Sequence, residues 1–261
     1  MEKRKMSSLM LRILSSLVMV PLVLVAIYMG DPFLNLLMLV VGSMWCWEWA
    51  TMIENKNPAL CAIIYAVAMV HSLLLPLSLL WLIIVVACAV IMAYKVRREK
   101  HPMLLLLGVL YISVGMGSLM WIYDAVGAIM TLWFIFAVWS VDVGGYMFGS
   151  LIGGPKLAPK ISPKKTWAGL IGGVFLAAVV CGGFVCLMGA NTNIFILFTA
   201  VAAALSVIAQ IGDLCESAIK RYLGIKDSSN LIPGHGGIFD RIDGLVFAAP
   251  FFYLFCILMV L

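Results

Sequence analysis

The chain has 261 residues, of which 64% are hydrophobic and 11% charged, and its mean hydropathy is +1.13. An ordinary soluble domain carries about 25% charged residues, so this composition excludes a soluble globular enzyme, a disordered chain and a fibrous repeat. The apolar runs are continuous over about twenty residues, as a bilayer-crossing helix requires. They lack the alternation over about ten residues that marks a transmembrane barrel strand. The expected fold class is therefore all-α, a polytopic integral membrane protein.

The chain opens on a basic stretch, Met1 to Lys5, that leads into an apolar run from about Ile13. This resembles a signal peptide, but no small-residue cleavage site follows and further spans do, so it reads as a retained first helix. About nine spans are predicted, at 11–30, 33–52, 59–74, 77–94, 103–122, 125–141, 168–188, 193–211 and 244–261, with only Pro76 and short polar breaks dividing the third from the fourth. With the N-terminus in the cytoplasm, all 17 Lys and Arg residues fall on the inner side or at an inner helix end, as the positive-inside rule requires. Glu48, in W-C-W-E-W near the inner end of the second span, reads as an interfacial residue. The seven cysteines form no CxxC pair and read as small buried hydrophobes. The outer turns are short. The inner segments 142–167 and 212–243 are long and polar, which divides the chain into an N-terminal scaffold, 1–130, and a catalytic region, 131–261.

In the first inner segment, Asp142, Gly145, Tyr146 and Gly149 share a helical face and read as a close packing surface with a carboxylate at its edge. In I-S-P-K-K-T, Ser162 can cap a helix with Pro163 at its first position. Lys164 and Thr166 would then stand at a helix N-terminus, which attracts phosphate. The other reading of Lys156, Lys160 and Lys164 is a lysine anchor for lipid headgroups.

The second inner segment carries the densest chemistry. Asp213, Glu216, Ser217 and Lys220 are spaced to share one face of a helix end. Charges at membrane depth are costly, so that face must line a polar cavity or bind something. The alternative is a solvated helix end with a Glu216–Lys220 ion pair. Glycines flank His235 in P-G-H-G-G, where exposed backbone N–H groups can form an anion nest. Asp240, Arg241 and Asp243 open the last helix, where acids also complement the helix dipole. Asp213, Asp240 and Asp243 together offer hard oxygen ligands of the kind magnesium takes alongside phosphates. Lys220, Arg221, Lys226 and Arg241 lie close in sequence, and the group suggests a metal–triphosphate site. Zinc is disfavoured, with one histidine and no paired cysteines near.

The stretch Ser217 to Asp243 resembles the signature of the phosphatidate cytidylyltransferases, also called CDP-diacylglycerol synthases. Its elements are Ser217, Lys220, Arg221, Lys226, Asp227, Ser229, Pro233, His235, Gly236, Gly237, Asp240, Arg241 and Asp243. The segments Asp142–Gly149 and Ser162–Gly169 are similar to upstream blocks of that family, with Ala168 where many members have an acid or amide. The resemblance implies transfer of the cytidylyl group of CTP to phosphatidic acid, giving CDP-diacylglycerol and pyrophosphate for phospholipid synthesis. It implies Asp213 and Asp240 as the main ligands of magnesium, supported by Asp243 and Glu216, and a monovalent cation such as potassium beside it. Lys220, Lys226 and Arg241 would act on the phosphates. Ser162, Lys164, Thr166, Ser217, Arg221, Asp227, His235, Gly236 and Gly237 would bind substrate, with His235 at a phosphate or at the cytosine. A homodimer in the cytoplasmic (inner) membrane, among membrane lipids and with its site facing the cytoplasm, is also implied; no nucleic-acid partner is expected.

Two other classes compete. A transporter would need polar groups reaching both sides, yet the outer halves of these spans hold almost none. CDP-alcohol phosphotransferases carry D-G-x-x-A-R, which is absent here. Prenyl-alcohol kinases and ether-lipid cytidylyltransferases share parts of the fold and remain the nearer alternative.

Overall fold

The computed structural model describes residues 2–53, 56–75, 78–232, 234 and 236–260, without the side chains of 2–9, 12, 98 and 260. The described chain is helical apart from one small hairpin. Among the described residues, five helices are long and apolar enough to cross a membrane, and three shorter apolar helical stretches, Ile13–Met29, Pro58–Leu74 and Leu79–Lys95, accompany them. Many large apolar side chains on these helices are exposed, among them Leu79, Val90, Phe175 and Leu254. Such extensive apolar surface suits lipid rather than water.

The chain divides into two compact units. The first comprises Met1–Asp124 and Leu223–Ile242. It holds α1 (Glu2–Met29), α2 (Phe33–Ile53), α3 (Pro58–Leu74), α4 (Leu79–Lys95), a 3-10 turn at Val96–Arg98, the first part of α5 (Pro102–Leu151) and the first residues of α8 (Phe239–Val260). Pro58 opens α3 at a position where no N–H is needed. Ser78 caps α4 by accepting from Trp81 N–H at 3.1 Å. The core is aromatic: Trp45 stacks on Phe239 with centroids 5.5 Å apart and meets Tyr111 edge-on at 5.2 Å. Several polar side chains of this unit bond to groups within it, as a lipid solvent favours. Trp49 Nε1 donates to the Leu104 carbonyl, Tyr65 Oη to that of Leu105, and Trp81 Nε1 to Ser72 Oγ.

The second unit comprises Ala125–Tyr222 and Asp243–Leu261. It holds the rest of α5, the strands β1 (Lys156–Ala158) and β2 (Ser162–Thr166), α6 (Trp167–Leu187), α7 (Thr192–Tyr222) and the rest of α8. Here α5 and α6 touch backbone to backbone. A Cβ on Gly144 would stand 2.8 Å from both Gly172 O and Gly173 Cα, and one on Gly169 would stand 2.8 Å from Gly145 O. Gly145 and Gly149 thus face α6 as their spacing predicts, but Gly144 makes the closest approach and Tyr146 is exposed.

Several boundaries differ from those read in the sequence. The two runs read on either side of residue 124 are indeed two helices, kept here under one label, α5; they meet at a kink three residues further on, at Gly127 (φ 74°, ψ −177°), a backbone conformation open in practice only to glycine. Helical geometry also continues past the apolar runs, to Leu151 in α5 and to Tyr222 in α7. Apolarity sets where lipid ends; it does not set where backbone hydrogen bonding ends. Ser162 does not cap a helix. It begins β2, which pairs antiparallel with β1, and the cap of α6 is Thr166, whose hydroxyl accepts from Gly169 N–H at 3.1 Å. Pro163 is compatible with a two-stranded ribbon, where every strand is an edge.

Candidate functional site

In the second unit, the C-terminal half of α7 presents the face that its spacing predicts. Asp213, Glu216 and Asp243 each offer an oxygen, all within 4.8 Å of one another. What brings Asp243 to α7 is Gly212. A Cβ there would lie 2.5 Å from Phe247 Cβ and 3.1 Å from the Asp243 carbonyl, so α8 crosses α7 at contact distance one residue before Asp213.

Two lysines face these acids. Lys220 Nζ lies 2.7 Å from Glu216 Oε1, and Glu216 is only 2% exposed. The i,i+4 pair thus exists, but it is buried and not a solvated helix end. Lys165 Nζ donates to Asp213 Oδ2 with both side chains partly buried, and Ser217 Oγ donates to Asp213 Oδ1 at 3.4 Å. Lys165 was not among the expected site residues; Lys164 was. Along a strand, successive side chains point to opposite faces: Lys164 is exposed, while Lys165 reaches Asp213. The strand conformation of I-S-P-K-K-T is thus what separates the two.

Other expected residues of this unit serve its framework. Thr166 is buried and occupied as the α6 cap, and Ser162 is partly buried on β2. Arg221 Nε donates to the Ile161 carbonyl at 3.3 Å, tying the end of α7 to the hairpin.

The first unit holds the remaining motif residues, in the loop 223–238 and the first turn of α8. Lys226, Asp227 and Arg241 are exposed. Gly236 has φ +86°, and its carbonyl accepts from Ile232 N–H at 2.8 Å. The carboxylate of Asp240 accepts from Gly237 N–H at 2.8 Å and, on the same oxygen, from Ser228 N–H at 3.1 Å and Ser228 Oγ at 3.2 Å. His235 and Pro233 lie outside the described residues. Glu48, read as interfacial, is instead 1% exposed. It accepts from Ile238 N–H and Phe239 N–H, both at 2.8 Å, and from the hydroxyls of Ser228 and Ser229. A lone acid between tryptophans gives no local signal of partners so far along the chain.

Three carboxylates form a hard-oxygen donor set of the kind that suits a magnesium-like ion, and no cysteine or histidine belongs to it. With two ammonium groups beside it, the set can hold a cation and the phosphate oxygens that accompany one. Fold and site thus define a helical membrane protein with a mixed acid–base cluster on α7 and α8. The sequence model of the cytidylyltransferase family matches residues 10–259. A phosphatidate cytidylyltransferase of Brucella suis biovar 1 (strain 1330) is 36% identical over 96% of this chain and 94% of its own length, and one of Brucella melitensis biotype 1 matches equally. One of Staphylococcus aureus (strain COL) is 41% identical over 56% of this chain and 55% of its own. The chain belongs to the cytidylyltransferase family.

Proposed function

We propose that this protein transfers the cytidylyl group of CTP to phosphatidic acid, forming CDP-diacylglycerol and pyrophosphate. The observation that carries the reading is the cluster of Asp213, Glu216 and Asp243 against Lys165 and Lys220, in a chain whose long matches are phosphatidate cytidylyltransferases. In the reaction, an oxygen of the lipid phosphate attacks the α-phosphorus of CTP. The bond from that phosphorus to the β-phosphate oxygen breaks, and its electron pair leaves with pyrophosphate. A phosphate monoester is already anionic at neutral pH, so alignment and charge neutralisation matter more than a strong base.

Asp213, Glu216 and Asp243 would hold a magnesium ion, with Asp240 as the further ligand that the family motif implies. When bound, the metal would supply charge neutralisation at the phosphates and the leaving pyrophosphate. Lys165 and Lys220 would steady the acids before substrate arrives and neutralise phosphate oxygens afterwards. By the family motif alone, Lys226, Arg241 and the Gly236–Gly237 backbone would receive the phosphates, with Asp227, Ser217 and Lys164 as further substrate contacts. A potassium ion and a homodimer rest on the family resemblance alone.

We also infer about nine passes with the N-terminus and the site on the cytoplasmic side of the inner membrane. The five long helices, with α5 taken as two at Gly127, and the three apolar stretches of 17 residues, Ile13–Met29 within α1, α3 and α4, support that number. Seventeen residues is about the lower limit for crossing.

Purified protein in detergent, given labelled CTP and a panel of acceptor lipids, should form CDP-diacylglycerol from phosphatidate only when a divalent metal is present. Folded protein that transfers nothing, or that prefers a prenyl or ether-lipid acceptor, would overturn the reading.

A further inference from the structure

We propose that Glu48 is a positioning residue of this reaction, acting from α2 through the loop 228–238 and the first turn of α8. The inference rests on the function proposed above, which it extends to a helix of the N-terminal scaffold.

Both oxygens of the buried Glu48 carboxylate are in use. Oε1 accepts from Ile238 N–H at 2.8 Å and Ser229 Oγ at 2.5 Å; Oε2 accepts from Phe239 N–H at 2.8 Å and Ser228 Oγ at 3.3 Å. The N–H groups at the start of a helix lack intrahelical acceptors, and an anion there is further favoured by the helix dipole. A serine or aspartate just before α8 could meet that need locally. Here the acceptor comes from α2 instead, and burying a carboxylate is costly unless it is fully hydrogen-bonded. The arrangement therefore does something a local cap cannot: it fixes the glycine loop to a transmembrane helix.

Two further contacts extend the grip to the motif residues. A Cβ on Gly237 would meet Ser228 Oγ first and lie 2.7 Å and 2.8 Å from the two Glu48 oxygens, so the bonded Ser228 and Glu48 side chains occupy the space a side chain there would need. Ser228 Oγ lies within hydrogen-bond reach of both Glu48 Oε2 and Asp240 Oδ2. Its single proton can serve one carboxylate at a time, which couples Glu48 to Asp240. The Gly237–Ile238 backbone and the Asp240 carboxylate are thus both held through contacts that end on Glu48.

The test compares wild type with Glu48→Gln, Glu48→Asp and Ser229→Ala, each purified as a folded, monodisperse protein. Wild-type transfer from CTP to phosphatidate reports on the function itself; the variant-to-wild-type ratios report on Glu48. In Glu48→Gln, kcat/KM for CTP should fall about tenfold or more, the scale of a lost hydrogen bond to a charged group. The KM for phosphatidate should stay within about twofold. Backbone amide exchange over 228–239 should rise about tenfold, with α3 and α6 unchanged. Glu48→Asp, too short to reach every donor, should fall between. Wild-type kinetics in folded Glu48→Gln would overturn the proposal, as would a lower yield of protein whose kcat and KM are unaltered. If neither Glu48 variant folds, Ser229→Ala decides: a loss of about threefold in kcat/KM for CTP supports the proposal, and wild-type kinetics refute it.

Discussion

A methyl group at Gly212 would stand 2.5 Å from Phe247 Cβ and 3.1 Å from the Asp243 carbonyl, and neither atom lies at the end of a flexible side chain. In Gly212→Val the two helices must therefore move apart, at a cost of about 1–3 kcal/mol for overpacking. The displacement falls on a contact that sets Asp243 against Asp213. A misplacement of about 1 Å at a reacting centre can cost about a hundredfold in rate. Activity should thus drop between about tenfold and a hundredfold with every candidate ligand intact, and the magnesium concentration for half-maximal rate should rise. Titrating magnesium in the cytidylyl transfer assay against wild type checks this. The residue scale also shows why charge alone misdirects. Lys164 and Lys165 are indistinguishable by composition, and only the alternation of β2 decides which of them meets Asp213.

At the scale of elements, the crossing of α5 and α6 depends on glycines placed where backbones meet. Gly144→Ala would put a carbon 2.8 Å from the α6 backbone, which cannot yield as a side chain could. Gly183, in the same α6, has nothing within 4 Å of an added Cβ. Thermal unfolding in detergent should place Gly144→Ala lower in stability by about 1–3 kcal/mol. Gly183→Ala should match wild type or exceed it, by up to about 1 kcal/mol, since alanine is the better helix former. Equal unfolding temperatures for the two variants would mean that the backbone contact does not carry this crossing. The β1–β2 hairpin belongs to the same scale: it ends in Thr166, the cap of α6, so the strand that carries Lys165 also fixes where that helix starts.

At the scale of the molecule, the proposed orientation can be read from two exposed polar positions. Lys160 lies in the turn between β1 and β2, and Asn191 between α6 and α7. Lys160→Cys should react with a membrane-impermeant thiol reagent only in inverted vesicles, and Asn191→Cys only in intact cells, each in a background without exposed native thiols. Labelling of both from the same side would remove the inferred pass between them.

The sequence by itself determined the membrane class, most helix positions and the acidic face of α7, because apolar length and i, i+3, i+4 spacing are local properties of the chain. The signature from Ser217 to Asp243 also carried the family, which the match over residues 10–259 shows. Only the tertiary structure decided that Gly212 brings Asp243 to Asp213, that Lys165 and not Lys164 faces that acid, and that Glu48 is buried under the glycine loop. Each depends on a partner far along the chain. The hydrogen bonds to Glu48 span 180 to 191 residues, a separation over which neither hydropathy nor local spacing carries information. A buried charge is specified by what surrounds it after folding, and that is settled in three dimensions.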